Sequence, residues 1–409
     1  MSRLLVIMGS GETAPTMIKP HRTLFARTSG DGPAALLDTP YGFQENADDI
    51  SRRAQSYFGA SVGERVDVVS WRRTLEPGLA REQALGALRA ARWVFAGPGS
   101  PTYALRQWHD TPIPDVLRQK LADGGTVVFA SAAALTLGSH TVPVYEIYKA
   151  GADPYWAPGL NLVEAATGLP AVVIPHYDNA EGGHHDTRYC YLGERRLSLL
   201  EQELPDEAFV LGVDEHTGCV LDLDAGTATV LGNSAVTVRR RGRSTVFPTG
   251  AVLSFDELVG AGQSTAPPPP PEPARERPDI PSLPTESDRL DVEFSAAVAA
   301  RDVDGCVSAV LAMEQTLVDW STDTYSPEDG EHARTALRGM IVRLGELAAV
   351  GARDPRDVVS PYVDALIELR NSARAARDFA TSDAIRDQLV AAGIEVHDTP
   401  DGARWELPG

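Results

Sequence analysis

Ser131 and His176 are the residues of this chain whose types and surroundings best fit nucleophilic chemistry. Ser131 ends the run Gly124-Gly125-Thr126-Val127-Val128-Phe129-Ala130 and opens the small-residue run Ala132-Ala133-Ala134. That order predicts a turn, a buried strand and a helix start, with the serine at the sharp bend between strand and helix. A serine so placed is held out from the sheet edge, and the N–H groups that follow it face whatever binds there. The same order also suits a serine that only caps a helix. A nucleophilic serine needs a base, and the base needs an orienting acceptor. His176 follows Val172-Val173-Ile174-Pro175, just past an apolar run. The carboxyl ends of parallel strands are where such sheets build sites. Glu146, within Val144-Tyr145-Glu146-Ile147-Tyr148, lies fifteen residues beyond the serine. It can orient the imidazole or stand as an exposed carboxylate.

A developing oxyanion needs donors. Trp93-Val94-Phe95-Ala96 runs into Gly97-Pro98-Gly99-Ser100, so the Gly99 N–H can face the site together with that of Ala132; Pro98 has no N–H to give. A plain tight turn would look the same. Gly9-Ser10-Gly11-Glu12 fits strand-to-loop packing; it has neither the lysine of a phosphate loop nor the GxGxxG spacing. His184-His185-Asp186, eight residues past His176, invites a metal reading. Neighbouring strand residues point to opposite faces, a loop fixes no geometry, and no cysteine pair or HExxH helix accompanies them. The expectation is therefore no metal and no cofactor.

The elements that must carry these residues read as α/β. Apolar, β-rich runs are Leu4–Met8, Ala34–Leu37, Val66–Val69, Trp93–Ala96, Thr126–Ala130, Ala171–Ile174, Phe209–Val213, Cys219–Leu223, Thr227–Leu231 and Ala235–Val238. Amphipathic helical patterns such as Arg81–Ala91 and Thr102–Trp108 separate several of them. Strands alternating with helices imply a covered, mostly parallel sheet. The last strands follow closely, with Asp224-Ala225-Gly226 as a turn, and predict antiparallel hairpins. Residues 263–286 hold nine prolines, Pro267 to Pro271 consecutively, and read as an extended spacer. After it, Ser295–Ala299, Val307–Trp320, Glu331–Ala349 and Val359–Val390 show helical spacing. The chain thus divides into 1–262, a 263–286 linker and 287–409.

In the last part Arg370, Arg374 and Arg377 share a helix face, as a basic patch with Arg386 or as partners of Glu368 and Asp378. A second helix ends at Gly393, and a hairpin turns at Asp401-Gly402.

The 409 residues carry 57 acidic and 37 basic groups, a net charge of −20, and 287–409 alone carries −11. A negative field disfavours generic nucleic-acid binding. No apolar run approaches the ~20 residues of a membrane helix. The short apolar start reads as a first strand, not a targeting segment. Three scattered cysteines, Cys190, Cys219 and Cys306, make no disulfide framework and fit a cytoplasmic location.

The order glycine turn, strand–Ser-Ala-x-Ala, Pro175-His176-Tyr177 and the later Gly193-Glu194-Arg195-Arg196-Leu197 resembles the peptidase E and cyanophycinase serine peptidases over Met1 to about Gly260. The resemblance implies a flavodoxin-like sheet of the class I glutamine amidotransferase type, with Ser131 as nucleophile in an elbow and His176 as base. The third triad member falls at a spacing that Glu146 fits, although aspartate is the family residue. Ala133 stands where the family has glycine. The resemblance further implies a small peptide substrate with N-terminal or β-linked aspartate. A cation would hold its carboxylate, and Arg188 and Arg195 are the candidates by position.

The run from Leu366 to Trp405 closely resembles the C-terminal end of cysteinyl-tRNA synthetase, and about Leu290 to Glu406 resembles its helical domain. No HIGH-like or KMSKS-like motif and no zinc-ligand set is present, so cysteine activation is not expected. The implied partner of this module is tRNA or a protein, and self-association stays open.

The sequence thus predicts a serine-type peptidase or amide hydrolase fused to a helical accessory domain that ends in a small hairpin. The alternative is a catalytically impaired adaptor with the same tail. A glutaminase would need cysteine at the elbow.

Overall fold

Short apolar runs buried on both faces form the centre of the molecule. The computed structural model describes residues 2–28, 30–180, 185–262, 281–321, 327–351, 355–399 and 402–407. In chain order the strands are β1 (Arg3–Met8), β2 (Ala34–Leu37), β3 (Val66–Val69), β4 (Trp93–Ala96), β5 (Gly125–Ala130), β6 (His140–Thr141), β7 (Ala157–Pro158) and β8 (Ala171–Ile174). They continue as β9 (Phe209–Val213), β10 (Thr217–Asp222), β11 (Thr227–Gly232), β12 (Ala235–Arg240), β13 (Arg243–Pro248), β14 (Val252–Ser254), β15 (Glu395–Thr399) and β16 (Gly402–Glu406).

The main sheet has the order β14-β11-β10-β1-β5-β4-β2-β3. The pairs β1–β5, β5–β4, β4–β2 and β2–β3 are parallel; β1–β10, β10–β11 and β11–β14 are antiparallel. A second sheet, β13-β12-β9-β8, holds the parallel pair β8–β9. The expected α/β architecture with a mostly parallel large sheet and antiparallel late strands is present. The second sheet and strands β13 and β14 depart from the single sheet read from the sequence. Both strands are polar or half-exposed, so no buried apolar run marks them.

The two faces of the main sheet bury different cores. One side is aliphatic with Trp71, Trp108 and Phe129. The other is an aromatic nest in which Phe25 stacks on Trp93 at 4.5 Å and the buried His21 meets Phe58 edge-on at 4.9 Å. Such pairs contribute about 0.5–1.5 kcal/mol each beyond their area. The helix Gly193–Glu203 is pinned to β12 by Arg239, which is 2% exposed and bonds Glu194 and Glu201. No helix among the described residues is long and apolar enough to cross a membrane.

The chain forms two compact units, Met1–Ser287 with Glu314–Ala333, and Asp288–Met313 with Arg334–Gly409. The helix Leu283–Ala300 begins inside the stretch read as spacer, because proline is tolerated in a first helical turn and Pro284 sits there. Residues 263–280 of that stretch lie outside the described residues.

In the second unit the helices Pro355–Ala375 and Phe379–Ala391 are separated at Arg377, whose φ is +61°. The second helix gives way at Gly393 (φ +82°) to the β15–β16 hairpin. Asp401 of the expected turn lies outside the described residues. The arginine face is a structural ion cluster: Arg370, 1% exposed, grips Asp398 with two bonds of 2.7 and 2.9 Å, and Arg374 adds a third of 2.7 Å. The two guanidiniums hold the Asp398 carboxyl well below the usual carboxylate range. The cluster ties the hairpin back to the helix Pro355–Ala375, helped by Trp405 Nε1 donating to Asp364 at 2.8 Å.

Candidate active site

β5 ends at Ala130, and the next residue, Ser131, has φ +49° before the short helix Ser131–Leu135 begins. A left-handed serine is costly and persists only where surrounding structure enforces it. Here Ala133 enforces it by donating its N–H to Gly97 O at 3.2 Å, locking the bend against the neighbouring turn. Ala133 itself is fully buried, helical and outside the positive-φ set. Alanine at the place of the family glycine is therefore accommodated without backbone strain.

β8 and β9 run parallel with Ile174 beside Gly212, so the loops that follow them emerge at one edge. The first carries His176 (φ +47°) and the second carries Glu215. Ser131 Oγ lies 2.9 Å from His176 Nε2, and His176 Nδ1 lies 3.0 Å from Glu215 Oε1. An ionised carboxylate only accepts, so Nδ1 carries the proton and Nε2 is left to accept from the serine hydroxyl. The Glu215 backbone N–H donates to Asp178 Oδ1 at 2.8 Å, which fixes the loop on the strand that bears the histidine.

The carboxylate that meets the His176 imidazole is therefore Glu215, where the sequence pointed to Glu146. Glu146 sits on the helix Val144–Tyr148, and its Oε2 accepts from Thr102 Oγ1 at 2.9 Å, bracing that helix on Pro101–Trp108. Sequence reasoning missed Glu215, although a polar residue just past the recognised strand Phe209–Val213 was the available signal.

Gly99 has φ +138°, and a Cβ there would lie 2.1 Å from Pro40 O. Gly99 and Ala132 line one cavity with Ser131, His176 and Glu215, and its volume is about 910 Å³. That lies within the range of small-molecule sites. Leu283 and Trp320 also line it, and the Trp320 ring meets His216 edge-on at 6.1 Å. Its cations are Arg53 and Lys149. Arg188 and Arg195 are not among the lining residues. Arg188 is clamped on Asp186 by two bonds of 2.8 Å, and Arg195 projects from the exposed face of Gly193–Glu203. Both were placed by position alone, which cannot tell an inward helix face from an outward one.

Glu12 lines the cavity too, 1% exposed, with Oε1 buried and unpartnered. Among the described residues no cluster of three metal-ligating side chains occurs. Asp186 is held by Arg188, His185 stacks on Tyr148 at 6.5 Å, and His184 lies outside the described residues.

Residues 356–405 match the model of the cysteinyl-tRNA ligase anticodon binding domain. The chain is 40% identical over 124 residues to a cysteine–tRNA ligase of Beutenbergia cavernae, covering 28% of this chain and 26% of that protein. It is 54% identical over 59 residues to one of Streptococcus pyogenes serotype M3, covering 14% and 13%. It thus spans about a quarter or less of these ligases. The crystal structure of a peptidase from an acI-B1 Actinobacterium aligns with TM-score 0.50 and 19% identity, over 62% of this chain and 98% of that one. The chain therefore joins an N-terminal fold like that of a solved peptidase to a C-terminal domain like the one cysteinyl-tRNA ligases use at the anticodon.

Proposed function

We propose that the chain is a serine-type hydrolase of peptide or amide bonds. The observation that carries this reading is the continuous relay from Ser131 Oγ through His176 to Glu215, at 2.9 and 3.0 Å, on a left-handed serine. Ser131 Oγ attacks the carbonyl carbon while its proton passes to His176 Nε2. Glu215 stabilises the imidazolium, and the N–H groups of Ala132 and Gly99 hold the oxyanion. Collapse breaks the C–N bond, and the amine leaves with the proton from Nε2. Water then repeats the sequence on the acyl-serine and releases the acid. The resemblance to peptidase E and cyanophycinase supports aspartyl or β-aspartyl peptides as substrates. Arg53 and Lys149, the cations lining the cavity, replace Arg188 and Arg195 as the carboxylate's partners. The three cysteines, all buried, fit a cytoplasmic enzyme.

Intact-protein mass after treatment with a fluorophosphonate tests the reading without a substrate. One adduct on wild type, absent from Ser131→Ala and His176→Ala, supports it. No adduct on folded wild type overturns it.

A second reading concerns the tail, and the domain match at 356–405 favours it: the module contacts tRNA. Its net charge of −11 and the engagement of Arg370 and Arg374 with Asp398 leave little positive surface. A gel shift of cysteine tRNA by the full chain, weakened by Arg386→Ala, would support it. Absence of a shift at low salt would remove it.

A further inference from the structure

The turn after β1 is locked onto the loop that carries Glu215. Gly9 N donates to Thr217 O at 2.9 Å, His216 N donates to Ser10 O at 3.2 Å, and a Cβ on Gly11 would lie 2.2 Å from the His216 ring. This lock fixes the direction of Glu12. Its side chain runs under the turn before Ser100, with Oε1 3.1 Å from where a Gly97 Cβ would stand. Gly97 O takes the N–H of Ala133, so the Glu12 carboxyl lies beside the turn to which the elbow is bonded. It lines the cavity with Ser131, Ala132 and Gly99, and its Oε1 has no hydrogen-bond partner. A buried carboxyl oxygen left without a partner is costly, and a site's own ligand is a natural way to satisfy it.

We propose that Glu12 is a neutral carboxylic acid that donates a hydrogen bond to the carbonyl oxygen of the acyl group held at Ser131, alongside the backbone donors Ala132 and Gly99. The proposal rests on the hydrolase reading above. Among the described residues no guanidinium or ammonium pairs with Glu12. The groups around it are His21, whose Nε2 is 2.8 Å from Glu12 O, together with the cavity-lining His176, Asp178, Glu215, His216, Tyr41, Arg53 and Lys149. His216 is itself bonded to Thr16 at 2.8 Å. Burial pushes the Glu12 carboxyl above the ordinary carboxylate range, its own backbone and His176 only partly offsetting that. A neutral acid can donate and an ionised one cannot. Ionisation would also set a negative charge beside a developing oxyanion.

The experiment compares the fluorophosphonate labelling rates of wild type, Glu12→Gln and Glu12→Ala across pH, with infrared difference spectra of wild type against Glu12→Gln. In this probe the phosphoryl oxygen takes the oxyanion's place, and fluoride leaves as Ser131 Oγ bonds phosphorus. Glutamine keeps the size and a donor. The expected result is near-wild-type labelling of Glu12→Gln, and labelling of Glu12→Ala slowed by about 10²-fold, the usual cost of one lost oxyanion donor. An alkaline fall in rate should appear in wild type and be missing from Glu12→Gln. A protonated-carboxyl band should be present at neutral pH only in wild type. Glu12→Gln as slow as Glu12→Ala, Glu12→Ala as fast as wild type, or no such band would each overturn the proposal while leaving the triad standing. Folded wild type that takes no label overturns the triad and the proposal together.

Discussion

The cleft around Ser131 and the helix–hairpin module treat buried charge differently. In the module Arg370 is 1% exposed, yet two of its nitrogens end on Asp398, which Arg374 also holds. In the cleft Glu12 is equally buried and keeps an unmet oxygen, while Ser131 and His176 hold left-handed backbone. Strained backbone and an unpaired polar atom together mark a place kept ready for a ligand. An ion cluster closed on its own carboxylate, as Arg370 and Arg374 are on Asp398 with Arg370 Nε left over, marks a joint between elements. The arginine row in the sequence invites attention as a binding surface, and the structure turns part of it into a clasp.

Breaking the cleft should give the largest effects. Ser131→Ala or His176→Ala should lower hydrolysis roughly 10⁴- to 10⁶-fold, since members of such a relay fail as a unit. Steady-state rates on aspartyl dipeptides measure this. Glu215→Gln should cost about 10⁴-fold by spoiling the imidazole tautomer. Glu146→Gln should leave the rate unchanged, and equal losses in the two would restore Glu146 as the orienting acid.

Breaking the module should leave chemistry alone and lower stability. Arg370→Met should cost about 1–3 kcal/mol in urea unfolding of the full chain, because Asp398 is half-exposed and can regain water. Labelling of Ser131 should not change.

The smallest effects are those of pH. Burial holds His21 down at about 4, against an ordinary value of about 6.5. Its contribution is present above the ordinary value and is lost as pH falls from there toward 4. Arg239 holds Glu194 down at about 2, so that contribution is present above 4.5 and lost as pH falls toward 2. Melting temperature should therefore fall in two stages on acidification. Glu194→Gln should flatten the lower one only.

Much of the frame was legible in the sequence because it is written in full burial. β2, β3, β4, β8 and β9 begin and end where apolar runs do, and all but β3 are wholly buried. Ser131 and His176 were found for the same reason: each follows such a run directly. Glu215 was not, since its role depends on β8 and β9 being parallel neighbours, and pairing is a long-range choice that no local pattern states. Glu146 drew attention by spacing from Ser131, a measure the intervening helices make meaningless in space. β13 shows the other limit. Its residues are all half-buried or exposed, so it owes its form to its partner β12 and not to its own composition.

Pro40 gives the Gly99 turn a consequence for mutational screening. Its carbonyl accepts from Ser100 N at 2.8 Å and sits 2.1 Å from where a Gly99 side chain would start. Every replacement at position 99 therefore collides with the backbone of the loop after β2, whatever chemistry the cavity performs. A library selected for folding alone would return glycine there, and so would a library selected for activity. Tolerance at position 99 carries no information about catalysis. Position 12, where alanine removes the donor that glutamine keeps, is where the two selections should part.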